Sequence, residues 1–175
     1  LALTIDDSVQ EIIGSKPMTF DLTPYMVRFH DAGAQRSVEV SYHFCKNKPA
    51  MVVIYKLKNT SNQDRIFDFE THLEQILRTC HSYKMMDIAN SRFDPDAAAI
   101  FAKYDDPATQ HVELFVANAG ESPVAYNFAG PVKNEVPDWK AVDQFFENEQ
   151  QQRPAARFRY KKKLAAGEEL RIVQT

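Results

Sequence analysis

Apolar and polar residues alternate with a period of two along most of this chain, and this alternation restricts its fold more than any other feature. In the stretch RSVEVSYHF, residues 36–44, Val38, Val40 and Tyr42 share one parity, and the residues between them are polar. Successive side chains of a β-strand point to opposite faces, so the pattern is typical of a strand with one buried face.

The same alternation recurs in further segments of the chain. It is found in MTFDL, YMVRFH, MVVIYKLKN, AAAIFAKY, QHVELFVAN, VAYNFAG, ARFRYKKKL and ELRIVQ. Together with the run that follows the turn at 59–62, these segments predict about nine or ten short strands separated by turn residues. We therefore predict a mainly β fold, an antiparallel two-sheet β-sandwich. We also predict a single domain over residues 1–175, because the sequence contains no linker or internal repeat.

Two stretches depart from the alternation. In PDWKAVDQFFENEQQQRP, Trp139, Val142 and Phe146 follow a capping aspartate with helical spacing, which predicts one short amphipathic helix over residues 138–150. Residues 73–90 fit both a strand and a helix, and the sequence leaves these alternatives open.

The inward parity of the strands defines the predicted core. It consists of Val38, Val40, Tyr42, Val53, Tyr55, Leu57, Phe67, Phe69, Val112, Leu114, Val116, Phe158, Tyr160, Leu170 and Ile172.

The charge of the chain argues against two classes of partner. The 175 residues carry a formal net charge of -3 with a pI of about 6.0. This balance predicts binding neither to nucleic acid nor to an anionic membrane. No segment approaches the ~20 apolar residues that span a bilayer. Because the chain begins at Leu1 without an initiator Met or a leader, we expect a processed protein or a piece of a longer one.

The two cysteines, Cys45 and Cys80, are too few for a disulfide framework. We expect two buried free thiols, because free cysteine is among the most buried residue types. A disulfide between them is the open alternative in an oxidising compartment.

The ionisable residues do not form a catalytic or metal-binding motif. Asp68, Glu70 and His72 alternate with apolar residues, so we interpret them as the solvated face of a strand. The carboxylates of FDPD and KYDDP stand beside prolines, where aspartate is a common turn former. The histidines and cysteines lack zinc-ligand spacing, and the chain has no phosphate-binding glycine loop. We predict no catalytic residue, no metal and no cofactor.

Aromatic residues are the remaining candidates for a contact with carbohydrate or with a partner. Phe115 has the parity of polar neighbours on its strand, which predicts an exposed ring. Trp139 and Phe145 lie on the predicted helix; Trp139 has a core-facing spacing, and Phe145 exceeds what the inward stripe requires.

Two phrases of the sequence resemble a known family. VIYKLKNTSNQDRIFDFETHL and LAAGEELRIV are similar to segments of the N-terminal β-sandwich (supersandwich) domain that precedes the (α/α)6 toroid in bacterial glycoside hydrolases. The resemblance implies that the catalytic acids lie on the toroid and not on this chain. It also implies a C-terminal catalytic domain of the same chain as partner, and a periplasmic or secreted location.

Two functions follow as hypotheses. The first is a non-catalytic module that packs on the catalytic domain and shapes its carbohydrate cleft. The alternative is an independent carbohydrate-binding or protein-interaction module. The sequence favours the first, because its only Trp has a core-facing position and its outer strand faces carry charges more often than aromatics. With it we expect no hydrolase activity of the chain alone and no binding of soluble oligosaccharides.

Overall fold

Fifteen β-strands make up the regular structure in the described part of the chain. The computed structural model describes residues 1–74, 88–104, 112–129, 139–143, 146–148 and 154–175. The strands are β1 Ala2–Ile5, β2 Glu11–Ile12, β3 Thr19–Thr23, β4 Met26–Ala32, β5 Arg36–Phe44, β6 Met51–Asn59, β7 Arg65–Glu74, β8 Ile88–Asp94, β9 Ala99–Tyr104, β10 Val112–Gly120, β11 Ala125–Ala129, β12 Lys140–Ala141, β13 Phe146–Asn148, β14 Pro154–Leu164 and β15 Glu169–Gln174.

The strands form two antiparallel sheets that pack as a β-sandwich, as the period-two alternation predicted. One sheet has six strands in the order β12-β11-β14-β7-β1-β2. The other has nine strands in the order β13-β8-β9-β10-β15-β6-β5-β4-β3. Alternation with one apolar face suits this arrangement, because each sheet buries one face against the other.

The predicted helix over residues 138–150 is wrong. The described residues of that range form β12, where Ala125 pairs with Ala141, and β13, where Phe93 pairs with Phe146. Each of these short strands lies at the end of a sheet, where pairing to a neighbouring strand satisfies one side of its backbone. Tertiary pairing therefore overrides the helical spacing of a few apolar residues. The sequence left strand and helix open for residues 73–90. The first residues of this range belong to β7 and the last to β8.

The contacts within the chain divide it into two compact units. The first unit comprises Leu1–Glu70, Asn118–Ser122 and Tyr160–Thr175. Within it, Tyr55 of the nine-stranded sheet meets Phe69 of the six-stranded sheet, with 5.8 Å between the ring centroids. Burial raises the pKa of the Tyr55 hydroxyl well above its usual value, so this hydroxyl stays protonated at any physiological pH.

The second unit comprises Thr71–Ala117 and Pro123–Arg159. Within it, the Phe93 ring of the nine-stranded sheet stacks on the Tyr126 ring of the six-stranded sheet at 3.9 Å between centroids. Phe128 meets the edge of Tyr126 at 5.3 Å. Both units thus have a core of aromatic side chains between two sheet layers.

The predicted core is confirmed for the residues whose side chains the structure describes, except Tyr42, which is half-buried. The side chains of Val112 and Leu114 lie outside the described ones. The core also contains residues that the sequence analysis did not select: Leu3, Ile13, Phe93, Ile100, Ala102, Tyr126 and Phe128.

Asn59 joins two loops of the first unit through its side-chain amide. It is fully buried, with 0% of its surface exposed. Its Nδ2 donates to the carbonyl oxygens of Gln63 at 2.8 Å, Leu164 at 3.0 Å and Ala165 at 3.1 Å. Its Oδ1 accepts from the backbone N–H of Ser61 at 3.0 Å and from the Ser61 hydroxyl at 2.7 Å. The amide therefore satisfies backbone groups of both loops, of which the Leu164 carbonyl is buried.

The backbone of Asn59 completes this junction. Its N–H donates to Glu168 O, and its carbonyl accepts from Gly167 N, each at 3.0 Å. Gly167 has a φ of +80°, a backbone conformation that residues with a Cβ rarely adopt. The two phrases on which the family resemblance was based, around residues 59 and 164–168, are thus hydrogen-bonded to each other.

Replacing Asn59 should be costly. We expect Asn59→Ala to lower the free energy of unfolding by about 3 kcal/mol, because backbone groups of two loops, the buried Leu164 carbonyl among them, lose their partner at once. Urea denaturation followed by circular dichroism measures the change. Asn62→Ala in the same turn is the matched control; Asn62 is exposed, and its replacement should change stability by less than about 0.5 kcal/mol. Equal effects of the two replacements would show that the Asn59 amide is not a structural link.

Candidate functional site

Phe115, which the sequence predicted to be exposed, lies on β10, in the part of the nine-stranded sheet formed by β8, β9 and β10. Phe93, Ile100 and Val116 point inward and are buried, so the residues of opposite parity point outward. The strand register places Arg92 opposite Phe101, and Phe101 opposite Phe115.

We call Arg92, Phe101 and Phe115 the aromatic row. The ring centroids of Phe101 and Phe115 are 5.8 Å apart, with an angle of 36° between the ring planes. The guanidinium carbon of Arg92 lies 4.3 Å from the centroid of Phe101, within the range of a cation–π interaction. Phe115 is 54% exposed, which agrees with the prediction from its parity.

Charged residues flank the aromatic row on the same outer face. Lys103 follows Phe101 along β9, and Asp94 follows Arg92 along β8, each two residues on. Asp94 Oδ1 accepts from the backbone N–H of Asp96 at 3.0 Å and of Ala97 at 3.1 Å. The turn-forming role predicted for the FDPD carboxylates is therefore confirmed at Asp94.

Of the other two candidate contact residues, Trp139 and Phe145, the structure describes only Trp139. Trp139 is half-buried next to β12, and the Arg159 guanidinium lies 5.9 Å from its ring centroid. Its predicted core-facing helical position does not exist, because the described residues around it form strands. Phe145 lies outside the described residues.

A second surface, in the first unit, has an uncovered apolar face. Phe20 on β3 lies opposite Phe29 on β4, which lies opposite Val40 on β5. Val40 is buried, Phe29 is half-buried and Phe20 is 62% exposed. The exposure of the side chains on this face therefore increases from β5 through β4 to β3, the last strand of the nine-stranded sheet.

We call this surface, made by Phe20, Leu22, Phe29, Tyr42 and Phe44, the apolar overhang. Its rings form a series, with 6.2 Å between Phe20 and Phe29 and 6.1 Å between Phe29 and Tyr42. Leu22 is 70% exposed and Phe44 is 52% exposed. An open cavity of about 410 Å³ borders the overhang. Its lining includes Leu1, Ile13, Lys16, Met18, Phe29 and Tyr42.

The opposite face of the same strands is ion-paired. Glu39 contacts Lys56 Nζ at 2.8 Å, Arg28 Nε at 3.8 Å and His30 Nδ1 at 3.7 Å. Asp21 contacts His30 Nε2 at 3.2 Å. Strands β3 to β5 thus carry an ion-paired cluster on one face and large apolar side chains on the other, and the apolar side chains are exposed toward β3.

Three ionisable residues of β7 lie on one face of that strand. Asp68, Glu70 and His72 share one face of β7 and are half-buried, so they are less open to water than predicted. Within the described ranges, no cluster of three or more His, Cys, Asp or Glu side chains could hold a metal ion. Cys45 is a free thiol and is exposed, which contradicts the expectation that it is buried. Cys80 lies outside the described residues.

No helix in the described part of the chain is long and apolar enough to cross a membrane.

Comparison with solved structures finds a likeness of fold. No protein-family model matches the chain, and no curated protein matches it. A solved structure from the human microbiome, proposed to be a kojibiose phosphorylase, matches with a TM-score of 0.53 and 11% identity, over 99% of this chain and 21% of that one. A 4-alpha-glucanotransferase from Thermococcus litoralis matches with a TM-score of 0.36 and 9% identity, over 91% of this chain and 22% of that one. The chain therefore spans about a fifth of the length of these solved proteins.

The ion-paired face makes a testable contribution to stability. Burial alone would raise the pKa of Glu39, but its hydrogen bond to Lys56 and the charges of Lys56, Arg28 and His30 outweigh burial and lower this pKa below 4.5. Because the pKa of Glu39 is lower in the folded state than in the unfolded state, its ionised carboxylate stabilises the protein at pH values above the unfolded-state pKa. This stabilisation is lost as the pH falls through the folded-state pKa. We expect Glu39→Gln to reduce the loss of unfolding free energy on acidification below about pH 5. Urea titrations at several pH values test this, and an unchanged pH profile would contradict it.

Proposed function

We propose that this chain is a non-catalytic β-sandwich module of a longer carbohydrate-active enzyme, a bacterial glycoside hydrolase with an (α/α)6 toroid that follows it. In this proposal the module packs against the catalytic domain and helps to shape its carbohydrate cleft. The proposal is supported by the fold likeness to a much longer carbohydrate-active protein and by the sequence phrases shared with supersandwich domains.

The apolar overhang is the observation that carries the proposal. Phe20, Leu22 and Phe44 are each more than half exposed and lie on a single sheet face. Large exposed apolar patches are uncommon on monomeric proteins and usually mark interaction sites. Glu39 and Asp21 lie on the opposite face, in ion pairs with Lys56 and Arg28, and the charged residues of the apolar face, Asp31 and Arg36, pair with each other. The overhang has the composition of a surface that another domain covers.

A non-catalytic role is supported by what the acidic residues do. Asp94 forms a turn, Glu39 is held in an ion-pair network, and Glu11 contacts Arg36 at 2.7 Å. Each of these carboxylates is committed to structure. A glycosidase needs two carboxyl groups placed on either side of one substrate bond.

Hydrogen exchange of β3 tests the docking role. We expect the backbone amides of Phe20 and Leu22 to exchange quickly in the isolated chain and several-fold more slowly in the longer native protein, because a docked domain would cover them. The amides of Phe101 and Phe115 serve as the internal comparison, since they lie outside the overhang. Equal exchange at β3 in both forms would contradict the proposal, as would a native protein that ends where this chain does.

We propose further that the longer enzyme is periplasmic or secreted, and the cysteines allow a check on its redox compartment. Cys45 is exposed, so a thiol reagent should label it in the folded chain if it is reduced. Protein isolated from its native compartment is denatured without reductant, and its thiols are titrated. Two free thiols would match the structure at Cys45; none would indicate a Cys45–Cys80 bond formed on export.

A further inference from the structure

The apolar overhang has lysines beyond both of its ends, and we propose that these lysines select the domain that covers it. That domain presents an apolar patch with carboxylate groups on two sides. This charge requirement rests on the proposed function, which supplies the covering domain. It adds the chemistry by which the covering domain is recognised.

Lys16, Lys46 and Lys48 are the lysines at the two ends, and all three are exposed. Lys16 lines the cavity that borders the overhang and lies shortly before β3. Lys46 and Lys48 lie in the connection 45–50, directly after Phe44 at the end of β5. The apolar side chains of the overhang therefore have positive charge beyond them in both strand directions.

The charge of these three lysines is not used within the described part of the chain. Lysines elsewhere in the first unit form ion pairs, such as Lys56 with Glu39 at 2.8 Å, but no ion pair of the described residues includes these three. The sequence has no acidic residue at positions 12–20 or 40–63. On the apolar face of β3 to β5, the one acidic side chain is Asp31, and Arg36 holds it at 3.1 Å. The positive charge at the overhang is thus left for an external partner.

The strand register places the end of this chain beside the same surface. Gln174 of β15 lies opposite Val53 of β6, and Val53 lies opposite Tyr42 of the overhang. Because neighbouring strands are about 4.8 Å apart, the backbones of Gln174 and Tyr42 are roughly 10 Å apart. In the proposed longer enzyme, the chain that continues past Thr175 leaves the sheet at the end where the connection 45–50 lies. The covering domain therefore begins within reach of the overhang.

Two other occupants fit this surface less well. Two-fold pairing of β3 with a second copy, centred on Asp21, sets Phe20 against Leu22 but puts two aspartates directly opposite each other, which is destabilising. It would also bring the lysines of both copies to one interface. An anionic membrane is disfavoured by the net charge of -3. A covering domain with fixed carboxylates has neither drawback.

Cys45 reports on this contact, because it is exposed and lies in the same connection as the lysines. The test compares its rate of labelling by iodoacetamide, after reduction, in the 175-residue chain and in the longer native protein. Mass spectrometry of the peptide that contains Cys45 measures the rate. We expect labelling to be several-fold slower in the longer protein. This protection should decrease when NaCl is raised from ~0.05 M to ~0.5 M, because salt screens exposed charges.

Reversing the charge in the connection should remove most of this protection. We expect the combined Lys46→Glu and Lys48→Glu variant to lower the protection of Cys45 several-fold. Protection is the ratio of the labelling rates of one variant in its two forms, so direct effects of the substitutions on the thiol cancel. Lys161→Glu is the matched control, since Lys161 is an exposed lysine of the same unit on β14, and it should leave the ratio unchanged. Circular dichroism establishes that each variant is folded.

The other end of the overhang has its own readout. Lys16→Glu should speed the hydrogen exchange of the Phe20 amide in the longer protein several-fold and leave it unchanged in the 175-residue chain. Equal exchange with and without this substitution in the longer protein would contradict a role of Lys16.

The proposal is overturned if Cys45 is labelled equally in both forms, or if its protection responds neither to salt nor to the reversed charges. Slow exchange at Phe20 and Leu22 in the longer protein would then show that docking stands and only the charge requirement fails. Fast exchange there, or a native protein that ends at Thr175, would remove both.

The competing occupants are tested on the 175-residue chain. Dimers in analytical ultracentrifugation that Phe20→Ala abolishes would assign the overhang to a second copy and overturn the proposal. Co-sedimentation with phosphatidylcholine vesicles that contain about 30% phosphatidylserine, lost in the combined Lys46→Glu and Lys48→Glu variant, would assign it to a membrane and overturn it as well. We expect a monomer that does not bind these vesicles.

Discussion

The buried amide of Asn59 is the interaction on which the first unit depends most. It connects the turn after β6 with the loop before β15, although Asn59 and Leu164 are 105 residues apart along the chain. Bringing distant segments together loses chain entropy, and a buried polar group stabilises the fold only when its partners are all present. At this site a single side chain satisfies carbonyl and N–H groups from both loops. The sequence stretches around 59 and 164–168 therefore form one structural junction.

The two sheets of the fold differ in size, with nine strands in one and six in the other. The nine-stranded sheet ends at β4 and β3, where burial decreases from Val40 to Phe29 to Phe20. The same strands have a second face on which Glu39 pairs with Lys56 and Asp21 with Arg28. A strand whose two faces differ this strongly has one preferred side to bury. The apolar overhang therefore follows from a sheet that is wider than the layer that covers it.

The second unit has a different kind of surface. Its outer face on β8 to β10 mixes rings with charged groups, and the exposed Phe115 is supported by Phe101 and Arg92. Sequence analysis identified Phe115 from its parity but missed Phe101 and Arg92. Both have outward parity on their own strands, yet parity does not tell which residue of one strand lies opposite which residue of the next. Tyr126 and Phe93 were missed for the same reason, since their stacking depends on two strands from different sheets.

The sequence by itself determined the class of fold and the inner face of most strands, because the alternation of side chains along a strand is a local property of two neighbouring residues. It also determined the turn role of Asp94, which depends on backbone groups two and three residues away. Only the tertiary structure decided the outcome at residues 139–143 and 146–148, where helical spacing gave way to two short strands at sheet edges. It also decided the membership of the aromatic row and the exposure of the overhang. These features depend on strand order and register, which are set by contacts between residues far apart in the chain, and no local pattern specifies them.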